Sequence, residues 1–219
     1  MKGYLTEYEP HARQQTIRTL LNAGANPDAT NTLTRLTCIH WAAFYTNDVE
    51  SLKLLIARTT LENVFTLDYK MRTSLDIAGI KSLNDFTFST LDYLLNCAEQ
   101  YFNQSCKKTP KETEIEIQGV RIKSKLEYYT QKEKLYLDML YWASYRDKTN
   151  FVIKLINFGI SPFLAYTMNE NAIISGIKGG AYKTVRAIIE MKYELKKGRG
   201  TIVRLCICYF KCYSKSYEG

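Results

Sequence analysis

Few residues of this chain have the types and spacing that chemistry requires. The densest group is Cys206-Ile207-Cys208-Tyr209-Phe210-Lys211-Cys212. Thiolates so spaced can share a zinc ion. A closed structural site takes four ligands, however, and no fourth cysteine or histidine lies nearby. Only two histidines occur, His11 and His40, which leaves little for proton transfer near neutral pH. The chain contains no Gly-x-x-x-x-Gly-Lys-Ser/Thr, no Gly-x-Gly-x-x-Gly, no Gly-x-Ser-x-Gly and no His-Glu-x-x-His. Gly176-Ile177-Lys178-Gly179-Gly180 is glycine-rich but fits none of them. The reading is a protein that is not an enzyme, with no catalytic residue, metal or cofactor.

The charge is unevenly placed. Thirty Lys and Arg against 22 Asp and Glu give a net +8. Residues 192–219 hold seven basic and two acidic side chains, so the tail carries +5 of that excess. A nearly balanced body argues against a whole domain built to grip nucleic acid. Within the tail, Tyr209, Phe210, Tyr213 and Tyr217 interleave with basic residues and suit stacking on single-stranded bases. Its cysteines suit reversible palmitoylation, which would make it a membrane-surface segment. Ile202–Phe210 spans nine residues and includes Arg204, too few to cross a bilayer. Met1 to Pro10 shows no apolar signal region, and two of the six cysteines, Cys38 and Cys97, sit within amphipathic helical patterns. Those features predict a reduced intracellular, cytoplasmic setting.

The body repeats itself. Thr37-Cys38-Ile39-His40-Trp41-Ala42-Ala43 is followed 36 residues on by Thr73-Ser74-Leu75-Asp76-Ile77-Ala78. Asp138-Met139-Leu140-Tyr141-Trp142-Ala143 comes 65 further, and Asn171-Ala172-Ile173-Ile174-Ser175-Gly176 another 33 beyond. Thr37, Thr73, Asp138 and Asn171 are all residue types that cap a helix N-terminus, where a side-chain oxygen accepts an orphan N–H. Ile39, Leu75, Leu140 and Ile173 then face the core. Ala42, Ala78, Ala143 and Gly176 are small where helices approach. A second helix recurs through Leu20-Leu21, Leu54-Leu55, Leu94-Leu95, Leu155-Ile156 and Ile188-Ile189. Gly24 and Gly159 suit the left-handed residue after a helix end, with Pro27 and Pro162 just beyond.

These copies resemble the ankyrin-repeat family, whose signature is Thr-Pro-Leu-His-x-Ala at a period of about 33. The resemblance covers roughly residues 12–192, with Cys38 and Ile39 in place of the signature Pro and Leu. It implies an all-α solenoid of four to five helix-turn-helix units. It implies protein binding through the concave surface, so that the chain acts as an interaction scaffold or adaptor, a monomer with an unidentified protein partner. It also implies that His40 hydrogen-bonds between neighbouring repeats. Trp41 and Trp142 suit packing and binding equally. Phe44, Tyr45, Tyr145 and Arg146 follow the Trp-Ala pairs near the ends of first helices. Arg35, Arg72 and Asn169 lie in the turns before the caps. These seven form the expected partner-binding set.

The interval between the second and third copies is about 30 residues too long for one unit. The excess falls at about 103–131, an insertion within an array spanning 1–192, with 193–219 as a separate basic tail rich in Cys and Tyr. Glu114-Ile115-Glu116-Ile117-Gln118-Gly119-Val120-Arg121-Ile122-Lys123 alternates apolar and charged residues about a Gln-Gly pair. It carries a weak β-hairpin signal near 112–124, with an open loop as the other reading. Leu126 to Leu140 reads as helix. The array opens inside a unit, since little precedes the first Ala-Gly-Ala-Asn-Pro turn. Two alternatives to a free-standing adaptor stay open. One is a piece of a larger multidomain or channel protein. The other is a membrane- or nucleic-acid-associated module acting through its tail.

Overall fold

Local hydrogen bonding decides where the helices begin. Thr37 is extended, and its hydroxyl accepts from the His40 N–H, while the His40 ring accepts from the Thr37 N–H. This reciprocal box starts a helix over Cys38–Phe44. Thr73 accepts from the Asp76 N–H at the head of the helix Ser74–Asp85. Asn171 accepts from the N–H groups of Ile173 and Ile174 at the head of Ala172–Lys178. All three caps fall where the residue types place them.

A computed structural model describes residues 10–45, 48–105, 131–164, 166 and 170–191. Ten helices occur among them: α1 Pro10–Asn22, α2 Cys38–Phe44, α3 Val49–Ile56, α4 Leu61–Val64, α5 Ser74–Asp85, α6 Ser89–Ser105, α7 Gln131–Tyr145, α8 Thr149–Asn157, α9 Ala172–Lys178 and α10 Tyr182–Glu190. The segment near 112–124 read as a hairpin, Asn169, and the tail 193–219 with its three cysteines lie outside the described residues. The four-residue helix α4 has no counterpart in the sequence pattern.

The chain divides into two compact units, 1–139 and 140–219, with the division inside α7. In the first unit, α2 packs on α3 and α5 on α6, making two helix pairs. First helix then meets first helix, α2 on α5, and second meets second in the order α1, α3, α6. In the second unit, α9 pairs with α10, and α10 packs on α8. This is the neighbour-on-neighbour order of a helical repeat solenoid.

The core follows that order. Ile39, Leu75, Leu140 and Ile173 are buried, as are Ala42, Ala78 and Ala143. Fully burying such a Leu or Ile contributes about 1.5–3 kcal/mol, against about 1 kcal/mol for a cap. Caps therefore set the boundaries and stacking sets the stability. Gly24 (φ +86°) and Gly159 (φ +108°) take the left-handed conformation expected after a helix end.

Hydrogen bonds also join one copy to the next. The Tyr69 N–H donates to the Thr34 carbonyl at 3.0 Å, linking successive turns. His40 Nδ1 accepts from the Thr37 N–H, so Nε2 carries the proton and donates to the Thr66 carbonyl at 3.0 Å. His40 thus makes the bond between repeats that its motif implies. Burial lowers its pKa below the ordinary 6.5, against the opposing charge of Asp68.

One expected cap is corrected. Asp138 does not begin a helix, because α7 starts at Gln131 and runs through it. Lys134 stands one helical turn before and pairs with its carboxylate, while Thr73 donates to the other oxygen at 2.6 Å. Those partners satisfy Asp138 inside the helix, so no orphan N–H is needed.

Two outcomes test this packing. A Cβ on Gly179 would lie 2.0 Å from the Tyr145 carbonyl oxygen, a backbone atom that cannot swing aside. Gly179→Ala should therefore cost about 1–3 kcal/mol in urea unfolding. For His40, the folded pKa is depressed, so its contribution is present above about 6.5 and is lost as pH falls through the folded value. NMR titration should show the His40 ring charging below 6.5, and acidification should lower the urea midpoint over the same range.

Candidate functional site

Two first helices in the first unit display apolar side chains that the fold leaves uncovered. On α2 the residues Ile39, His40, Ala42 and Ala43 face inward, which turns Trp41 and Phe44 outward at a three-residue spacing. Trp41 is 55 % exposed and Phe44 is 44 % exposed. On α5 the exposed pair is Ile80 and Leu83, again three apart. Ile80 stands 36 residues after Phe44, the same interval that separates the caps Thr37 and Thr73. The two helices pack together, and Lys81 beside Ile80 reaches the Phe44 ring, so the equivalent positions Phe44 and Ile80 share one surface, whereas Ile77, the equivalent of Trp41, is buried.

Cations lie over this aromatic surface. Lys81 Nζ from α5 sits 4.7 Å from the centroid of the Phe44 ring and pairs with Asp85 at 3.2 Å. Arg13 from α1 lies 3.8 Å over the Tyr45 ring, and its Nη1 is 2.6 Å from Asp48. Phe44 and Tyr45 meet edge to face at 6.0 Å. Each such cation–ring contact contributes about 0.5–1 kcal/mol at an exposed position. Burial works against Asp48, yet hydrogen bonds from Ser51, Gln14 and Arg13 hold its carboxyl below the usual range. Beyond the helices, the turn tips expose Leu33 and Tyr69, with Lys70 Nζ 5.3 Å from the Tyr69 ring.

The seven expected binding residues fall in different places. Phe44 and Tyr45 are exposed and in mutual contact. Arg35 is exposed at a turn tip, in a left-handed conformation at φ +54°. Arg72 is engaged by its own turn: Nε and Nη2 donate to Asp68 at 2.9 and 2.7 Å. In the second unit, Tyr145 is partly covered and packs against Trp142, and Arg146 is half-buried in the following turn. Asn169 lies outside the described residues. The two tryptophans separate as well. Trp142 is only 1 % exposed because Tyr141, Tyr145 and Tyr166 surround it, Tyr141 and Tyr166 stacking at 4.1 Å. Ile80, Lys81 and Leu83 are not among the residues expected from the sequence. The 36-residue shift from Phe44 and Tyr45 finds Ile80 and Lys81, while Leu83 follows from the three-residue spacing after Ile80.

One buried cluster of ionisable groups could suggest chemistry. Lys134 and Asp138 of α7 and Asp76 of α5 are all buried, with Lys134 Nζ 3.8 Å from Asp76. Burial alone would lower the Lys134 ammonium, but the charges of Asp138 and Asp76 outweigh it and hold it above its ordinary value. Burial raises the Asp138 carboxyl, against the pull of Lys134. The Thr73 hydroxyl caps α5 and donates to Asp138, so the group ties α5 to α7. It is enclosed and internally paired, which fits a structural clamp rather than a site open to substrate. Among the described residues, no group of three or more His, Cys, Asp or Glu is placed to hold a metal ion.

The clamp has a measurable consequence. Lys134→Met leaves two buried carboxylates without their cation and should cost about 3–5 kcal/mol in urea unfolding. Adding Asp138→Asn should recover part of that loss.

Comparison with known proteins agrees with the geometry. The family model for ankyrin repeats (many copies) matches residues 7–56, which contain α1, α2 and α3. A search of the curated proteins found no match. Among the described residues, no helix is long and apolar enough to cross a membrane. Over residues 7–56 the chain is thus similar to ankyrin repeats, in accord with the reciprocal cap at Thr37 and the packing of α1 on α3 and α2 on α3.

Proposed function

We propose that the chain is a protein-interaction scaffold that binds its partner on the face formed by α2, α5 and the turns before them. Ankyrin repeats generally mediate protein–protein interaction and are typically not catalytic. The observation that carries the reading is the row of exposed apolar side chains on adjacent first helices: Trp41, Phe44, Ile80 and Leu83. Hydrophobic groups grouped on one surface of a folded domain mark a place where another surface can cover them. The helices beneath are fixed by caps and core, so they lose little entropy when a partner docks.

Trp41 and Phe44 are the anchors of this proposal. Tyr45 and Arg35 flank them, and Arg72 holds its turn in shape through Asp68. Tyr145, Arg146 and Asn169 stay as proposed contacts outside the first unit. An intracellular setting accords with the family and with the free thiols of Cys38 and Cys97.

The test is affinity capture by the intact chain, with partners identified by mass spectrometry and then measured singly. Trp41→Ala with Phe44→Ala should weaken a specific partner by more than tenfold, since a central aromatic anchor is worth about 2 kcal/mol or more. Thermal unfolding should stay close to that of the parent, because both side chains are exposed. Undiminished capture by this variant would refute the assignment of the face.

A further inference from the structure

We infer that the occupant of the α2–α5 face is an acidic protein segment whose carboxylates alternate with aromatic or aliphatic side chains. The inference rests on the protein-binding reading above and adds the chemistry of the partner. It comes from where the charges of this face point. Helices α2 and α5 and the turns 30–36 and 66–72 carry four cations: Arg35, Lys70, Arg72 and Lys81. Arg35 and Lys70 are exposed at the turn tips, and Lys81 is partly exposed over Phe44.

Two of the three acids of the same segments are turned inward. Asp68 is buried and accepts from Arg72 and from the Lys70 and Arg72 N–H groups. Asp76 is buried beside Lys134. Among the described residues of these segments, Asp85 is the one exposed carboxylate, and it lies against Lys81. A partner therefore meets apolar side chains interspersed with ammonium and guanidinium groups, with Asp68 and Asp76 behind the surface and Asp85 alone displayed beside Lys81. Such a face favours carboxylates and repels basic segments.

Asp85 supplies a specific sign. It competes with an incoming carboxylate for Lys81. Removing its charge should strengthen binding, whereas a purely apolar partner would be indifferent.

The experiment selects a displayed random-peptide library on the intact chain, with the Trp41→Ala, Phe44→Ala chain as the counter-selection. Enriched peptides should contain several Asp or Glu among apolar residues. Their affinity, read by fluorescence anisotropy, should fall about five- to tenfold with Lys81→Glu and rise about two- to fivefold with Asp85→Asn. Added salt should weaken them. Enriched peptides that need Trp41 and Phe44 but are neutral or basic, and ignore both charge variants, overturn the acidic assignment and leave the protein-binding reading intact. Peptides that bind the counter-selected chain equally well, or no enrichment at all, overturn both. An oligo-dT strand that competes with the peptides and needs Trp41 also overturns it, in favour of nucleic acid.

Discussion

Burial between successive helix rows holds this molecule in order. No helix pair here can cover its own apolar surface, so Ile39 and Leu75 each need the neighbouring copy to exclude water. The same contact decides what is left for function. A first helix that spends Ile39, His40, Ala42 and Ala43 on its neighbours has only the remaining angular sector for solvent, and Trp41 and Phe44 occupy it. Structure and display are two sides of a seven-residue helix.

Much of this was legible in the residues because it is local. Thr37, Thr73 and Asn171 cap helices through bonds to N–H groups two or three positions ahead, so type and position suffice to find them. Gly24 and Gly159 were legible for the same reason. Asp138 has the same residue chemistry, yet its partners are a lysine one turn earlier and a threonine 65 positions away. The repeat alignment makes Thr73 and Asp138 equivalent, and so gives no sign that they bond to each other.

The site was legible only in part. Trp41 and Trp142 occupy matching positions, but what covers an aromatic ring is set by distant chain. Tyr166 and Tyr145 close over Trp142, whereas Trp41 stays more than half exposed. Arg72 is an expected contact, yet Asp68, four residues before it within the turn, holds it, and helical spacing rules give no guidance there. Phe44 and Tyr45 were found because they sit at the end of a capped helix. Ile80 escaped notice because aliphatic residues in a helix read first as core.

The links between the first full copies have a mechanical consequence. The Thr34 carbonyl holds the Tyr69 amide, His40 holds the Thr66 carbonyl, and the Tyr45 carbonyl holds the Thr90 hydroxyl, each bond reaching one copy forward. Tension applied across this pair loads these bonds together, before any copy further along. Parting the two copies frees all three at once, together with the apolar seam between α2 and α5.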